Sequence, residues 1–394
     1  MTTFRQKLVR GVVATAVVAS TLAVGSPAFA KKAGDKCSLR EAYSMMKVGT
    51  AFIRCEIVPG TSLHAADPKK KAQFKWRALD AKNGPLQYQM SSAKSANIRI
   101  DGSSTVAPLA TVAAKYFETA SRSINKSKGV KVAVGIAGTG GGFQKFCAGE
   151  TDISNASRAI NASEAAVCQR NGITYTEIPI ANDGLALVVN KNNPISCMKM
   201  TEVAKMWHRD GEGKVMKFSD INSSFPSTSL KLFGAGTDSG TFDAFGDLAL
   251  QTETSSSRRG KSQLRKDVST SEDDNVTVRG VNGDAGGVGY FGLSYAIENA
   301  DKVKTVQLDK GAGCVTPTIA TVQNNTYPMS RPLFIYVKNS SLVNVPAVGA
   351  FVNFFASNVK QISEDAIFVP LTDPQIRAMN GALLRIAALP KAKP

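Results

Sequence analysis

Four short clusters of Ser, Thr and Gly hold most of the chemistry open to this chain: GSST at 102–105, GTGGG at 138–142, ASR at 156–158 and TDSGT at 237–241. Three of them stand just ahead of a helix-like stretch. Free backbone N–H groups, small hydroxyls and the positive end of a helix dipole meet there, which suits a small tetrahedral oxyanion. Ser104 and Thr105 would serve equally as plain helix N-caps, so the reading rests on the four clusters together. The glycines around Gly140 let the backbone approach a ligand and form an anion nest, to which Thr139 adds a hydroxyl. Ser239, Gly240 and Thr241 open a further helix. No GK[ST] follows either glycine cluster, and neither fits GxGxxG with its acidic partner. Arg158 brings a formal positive charge, and its guanidinium can hold two oxygens of an anion at once.

Catalysis is poorly supplied. A hydrolase needs a metal cluster or an activated nucleophile with a base in reach. The two histidines, His64 and His208, lie outside all four clusters. Asp238 beside Ser239 forms no base–orienter arrangement. An enzyme is not expected, nor is a cofactor or a metal.

Residues 1–30 read as a secretion signal, with Arg5, Lys7 and Arg10 before an apolar stretch and Ala28-Phe29-Ala30 as the cleavage site. The mature chain, beginning after Ala30, is expected to be exported and soluble. Six cysteines in such a chain favour three disulfides, although 15 connectivities are open. Their order along the chain suggests Cys37–Cys55, Cys147–Cys168 and Cys197–Cys314. The formal charge is +17, of which the signal carries +3 and residues 31–96 carry +8. The remaining body is only mildly basic, which helps anions approach. Nucleic acid is not an expected partner. The only basic patch near aromatics, Lys69-Lys70-Lys71 before Phe74 and Trp76, reads as a solvated surface of a Lys-rich extension at 31–96.

The elements that must position these clusters alternate from residue 97 onward, as in an α/β fold with a largely parallel sheet. Strands are expected at 97–100, 130–136, 174–179, 185–189, 230–233, 303–308 and 332–337. Helices are expected at 106–120, 142–148, 162–171, 201–208, 241–250, 289–300, 346–358 and 374–388. Residues 38–50 read as one short helix between Cys37 and Cys55, and the polar region 251–284 as exposed loop.

The strings GSSTVAPL, GIAGTGGGFQKFCAGETDISNASRAI, IANDGLALVVN, FGAGTDSGTFDAF and YPMSRPLFIY resemble the periplasmic phosphate-binding protein of high-affinity phosphate ABC importers. That resemblance implies a type II-like periplasmic binding protein, monomeric, with two α/β lobes and the anion in the cleft between them. The lobes would be 97–181 with 316–394, and 182–315. Inorganic phosphate would be the ligand and the membrane permease subunits the partner. Carried over by motif, phosphate contacts fall on Ser104, Thr105, Thr139, Gly140, Ser239, Gly240 and Thr241. Many members have Asp where this chain has Arg158, and Arg where it has Ala235, so Arg158 replaces the missing cation. Phosphate keeps a proton near neutral pH and sulfate does not, so a buried carboxylate admits one and repels the other. Asp183, in the Asn-Asp-Gly sequence at the crossover, is the candidate and Asp238 the second choice, although Asp183 would also serve as a plain turn residue. Sulfate, molybdate or tungstate is the alternative ligand, and an exported phosphatase the alternative from another class.

Overall fold

A computed structural model describes residues 31–37, 45–48, 51–58, 73–79, 96–125 and 130–387. The signal sequence and Lys69-Lys70-Lys71 lie outside the described residues. Among those residues no helix is long and apolar enough to cross a membrane.

One nine-stranded mixed sheet runs through the main body. Its backbone is the strand Tyr175–Asn190, which pairs antiparallel with Ser330–Lys338 over its first half and with Gly287–Gly292 over its second. Parallel strands flank this centre on both sides. Asn97–Gly102 pairs with Lys131–Val134 and Ile153–Ala156 at one end, and Lys231–Ala235 pairs with Gly287–Gly292 and Ser269–Ser271 at the other. The expected largely parallel sheet is therefore corrected to a mixed one, antiparallel at its core. The α/β architecture itself is as expected.

Three hydrophobic clusters are built on this one sheet, two of them large and a smaller third around Phe143, Phe146 and Tyr336. Ile178, Ile180, Ala181, Leu333, Ile335 and Val337 belong to the first, with Phe117 and Phe351. Leu185 to Val189, Trp207, Phe245, Tyr290 and Met329 belong to the second. Core membership changes between Ala181 and Leu185 on one strand and between Met329 and Leu333 on the other. The polar residues in between face each other in register, with Ser330 opposite Gly184, Arg331 opposite Asp183 and Pro332 opposite Asn182.

Several expected elements change. The two strands at 174–179 and 185–189 are one, because the Asn-Asp-Gly sequence continues the ladder instead of turning. Pro179, which lacks the amide a ladder needs, sits where the register shifts between Leu333 and Phe334, a position at which proline is tolerated. The helix expected at 289–300 gives way to the strand Gly287–Gly292 followed by the short helix Leu293–Glu298. This strand is buried along nearly its whole length, and small residues with Tyr290 and Phe291 suit a central position better than a helix. The strand expected at 303–308 is two, Val303–Thr305 and Gln307–Asp309, in different sheets. Within the supposed loop 251–284 lie the strand Ser269–Ser271 and the helix Asp274–Gly283, whose Thr277, Val278 and Val281 are buried.

The N-terminal segment forms a four-stranded antiparallel sheet from Lys36–Cys37, Met45–Val48, Ala51–Ile57 and Phe74–Leu79. The helix expected at 38–50 is corrected at 45–48, where Met45 to Val48 pair with Arg54 to Ala51; residues 38–44 lie outside the described set. Phe74 and Trp76 are buried rather than solvated, and with Ile53 and Cys55 they join the first core.

The disulfides are Cys37–Cys55, Cys147–Cys168 and Cys197–Cys314, the pairing suggested by chain order. The third closes a loop of 117 residues and ties the edge strands of a three-stranded sheet. Replacing Cys197 and Cys314 together by Ala should lower stability by about 2–5 kcal/mol. The urea midpoint under oxidising conditions measures this; an unchanged midpoint would mean the sheet holds without its crosslink.

Candidate functional site

The first cluster turns from the strand Asn97–Gly102 into the helix Ala107–Asn125. Gly102 has φ +138°, a conformation that side chains rarely adopt, and its Cα lies against the backbone of Asn155. The fourth cluster turns from Lys231–Ala235 into the helix Gly240–Ala249, with Ser239 as N-cap accepting from the Thr241 N–H. These two turns meet. A Cβ placed on Gly240 would stand 2.7 Å from the carbonyl of Ser104 and from the amide nitrogen of Thr105, so only glycine fits. Thr105 Oγ1 donates to the Gly240 carbonyl at 3.0 Å, and Ser104 Oγ to Asp243 Oδ2 at 2.8 Å.

Beside this contact lies a cavity of about 220 Å³. Ser104, Thr105, Asp183, Ser239, Gly240 and Thr241, six of the nine residues expected in the site, line it. Ile367 closes one side in a left-handed conformation, φ 64°, which is uncommon for a β-branched residue.

Thr139, Gly140 and Arg158 do not line the cavity; they form a second group nearby. The glycine cluster is itself helical, since the helix runs Gly138–Cys147 and begins four residues earlier than expected. Thr139 and Gly140 thus occupy its first turn, and its N-cap, Ala137, makes no side-chain cap. Thr139 Oγ1 accepts from the Ser157 N–H at 3.2 Å, which joins the second and third clusters. Arg158 is exposed and its Nη1 and Nη2 donate to the two carboxylate oxygens of Glu164 at 2.8 and 2.7 Å. The hydrogen bond to Glu164 holds the guanidinium firmly protonated, its pKa raised. Nη1 also donates to the Ala159 carbonyl. A guanidinium has five N–H groups, so Nε–H and one Nη2–H have no partner among the described residues; a Cβ added to Gly140 would stand 3.9 Å from Nη2. Glu164 therefore orients Arg158 while leaving it two donors.

Arg331 was missed in the sequence, although YPMSRPLFIY contains it. Its guanidinium, on a side chain 12% exposed, donates from Nε to Asp183 Oδ2 at 3.2 Å and from Nη2 to Thr105 Oγ1 at 3.2 Å, and Nη1 reaches Asp247 Oδ2 at 3.5 Å. Nothing local marks this partnership, because Asp183 lies 148 residues away. Asp183 is not a turn residue but sits in mid-strand, and burial raises its pKa against the opposing charge of Arg331. Asp238 and Ala235 contribute no side-chain group to the cavity: Asp238 is exposed, and Ala235 is buried in the sheet. Asn155, fully buried beneath the first cluster, has both amide atoms without a partner among the described residues.

The arrangement is an array of hydroxyls and helix N-termini gathered from both ends of one sheet, with cations already oriented by carboxylates. Such a set is chemically suited to an oxyanion. A family model described as a PBP superfamily domain matches residues 89–359. The chain belongs to this superfamily, in keeping with the resemblance read from its motifs. It is 42% identical over 285 residues to Protein SphX of Synechococcus elongatus, a match covering 72% of this chain and 80% of that protein. To the phosphate-binding protein PstS of Staphylococcus epidermidis it is 36% identical over 271 residues, covering 68% of this chain and 77% of that one. Among solved structures, that of a possible phosphate binding protein from Planctomyces limnophilus is similar, at 38% identity and a TM-score of 0.66, and covers 74% of this chain and 99% of that one.

Replacing Arg331 by Met should destabilise the fold by about 3–5 kcal/mol near neutral pH, because Asp183 is left as an uncompensated buried charge. Asp183 already has a folded pKa above its ordinary 3.8. A carboxyl raised in this way stabilises the fold below its unfolded pKa and loses that contribution as pH rises through the folded value. Without Arg331 the folded value climbs further, so the deficit of the variant should shrink on acidification. Denaturant unfolding at about pH 7 and about pH 4.5 measures it; an equal loss at both would show that Asp183 is not the stranded group.

Proposed function

We propose that this chain captures inorganic phosphate outside the cytoplasm and delivers it to the membrane permease of an ABC importer, without catalysing a reaction. The observation that carries this reading is the meeting of Ser104 and Thr105 with Ser239, Gly240 and Thr241 at one cavity, donors drawn from two helix N-termini. The names of its relatives, phosphate-binding protein PstS and a possible phosphate binding protein, support the choice of anion.

In this proposal Ser104, Thr105, Ser239, Gly240 and Thr241 bind the anion directly from the two sides. Thr139, Gly140 and Arg158 complete the shell when the cleft closes, Arg158 through the donors that Glu164 leaves available. Asp183 acts by holding Arg331 against Thr105. The lobes divide at the crossover, 97–181 with 316–394 forming one and 182–315 the other. Secretion follows cleavage after Ala30, and the mature chain works as a monomer in the periplasm or an equivalent exported space.

Isothermal titration should show one phosphate per chain, with sulfate at least about a hundredfold weaker, since an unmatched buried acceptor costs about 1–3 kcal/mol or more and each tenfold is about 1.4 kcal/mol. Equal affinity for the two anions would remove phosphate as the assigned ligand. Arg158→Ala should weaken phosphate binding by about 1.5–3 kcal/mol, the value of a charge-assisted hydrogen bond, and Glu164→Gln by less, because the cation stays while its orientation loosens. An Arg158→Ala protein with unchanged affinity and unchanged salt dependence would show that the guanidinium does not reach the anion.

A further inference from the structure

The strands Lys231–Ala235 and Ser269–Ser271 run side by side and parallel, with Ala235 opposite Ser271. Each leads into a helix, Gly240–Ala249 and Asp274–Gly283 respectively. Both helix N-termini therefore lie at the carboxyl edge of the sheet, where open α/β sheets bind their ligands. Asp274, the first residue of the second helix, lines the same cavity as Ser239, Gly240 and Thr241.

The other carboxylates around this place are engaged, apart from Asp238, which is exposed and does not line the cavity. Asp183 pairs with Arg331, and Asp243 accepts from Ser104 and pairs with Lys261. Glu272 accepts from the Asp238 N–H, and Asp273 caps its own helix through the Asn275 N–H. Of the carboxylates that line the cavity, Asp274 alone has no hydrogen bond or ion pair among the described residues. A partly buried carboxylate that lines a cavity of hydroxyl and N–H donors, itself unpaired, is an acceptor awaiting a donor.

We infer that Asp274 is the specificity-determining residue of the phosphate site, accepting the proton that hydrogen phosphate carries and sulfate lacks. This rests on the phosphate reading above and departs from Asp183, whose carboxylate is turned to Arg331. Sulfate would set an oxygen against the carboxylate with no hydrogen between them, which is repulsive. The groups that face Asp274 are Asp273 and Glu272 from its own segment, Tyr290 from the strand Gly287–Gly292 and Tyr295 from the helix Leu293–Glu298. Burial, with the charges of Asp273 and Glu272 added, pushes its carboxyl up to about 6. Above that pH it accepts. Below it, Asp274 carries its own proton and can donate to either anion, so discrimination falls as the pH falls.

The test is titration of the full protein with inorganic phosphate and, separately, with sulfate, at about pH 8 and about pH 5. Asp274→Asn, whose amide can donate as well as accept, should lower the phosphate-to-sulfate ratio by about tenfold or more at the higher pH. It should also remove the part of the pH dependence that exceeds what phosphate's own second ionisation produces, and Asp274→Glu should restore part of both. An Asp274→Asn protein with the wild-type ratio and pH profile overturns the inference and leaves the phosphate reading intact. A wild-type protein that binds neither anion removes both.

Discussion

The pair of buried Asp183 and partly buried Arg331 is the constraint around which the molecule is arranged. The two residues face each other in register on the two antiparallel strands that carry the chain from one hydrophobic core to the other. Taking both charges out of water is costly, and their attraction offsets this only where geometry and further hydrogen bonds are good. Those bonds are made to functional parts. Arg331 reaches Thr105 of the first cluster and Asp247 of the helix that the fourth cluster opens. A charge that the crossover must satisfy is thereby satisfied with residues of the site, and the position of the site is tied to the register of two strands.

This explains why the cavity is built mainly of neutral donors. Among the described residues each nearby cation has a carboxylate partner: Arg331 has Asp183, Arg158 has Glu164 and Lys261 has Asp243. Hydroxyls and helix N-termini line the cavity, while each nearby cation is already held by its carboxylate. A guanidinium held bidentately by a carboxylate loses its rotamer freedom in advance, so less is lost on binding.

How much of this could be read from the residues depends on how local each signal is. The clusters at 102–105 and 237–241 were legible because strand, turn and helix lie within a dozen residues, and the turn chemistry of Ser, Thr and Gly marks them. Arg331 and Asp274 were not, since their roles arise from pairings between strands distant in sequence. Gly287–Gly292 failed as a helix because its composition suits any tightly packed element, and only the neighbouring strands decide which. Tyr175–Asn190 failed as one strand because Pro179 and Asn-Asp-Gly both resemble breaks, and a register shift opposite Pro179 removes the first conflict. The strand and helix inside 251–284 hide behind polar residues, as only a few buried positions of the helix hold it to the sheet.

The contacts across the cavity also set terms for any ligand. Thr105 Oγ1 already donates to Gly240, and Ser104 Oγ to Asp243, so the two sides are in touch through the hydroxyls proposed to bind the anion. An anion that takes these donors must replace bonds already made, and its affinity reflects the difference rather than the sum. It can favour one arrangement of the two sides only by bonding that arrangement better than the existing contacts do. Gly240 makes the exchange feasible, because with no Cβ the two turns can approach until their backbones touch. A side chain there would hold the first and fourth clusters apart, weakening their contact and their joint grip on a ligand. The glycine at this one position therefore sets how closely the two turns approach beside the cavity.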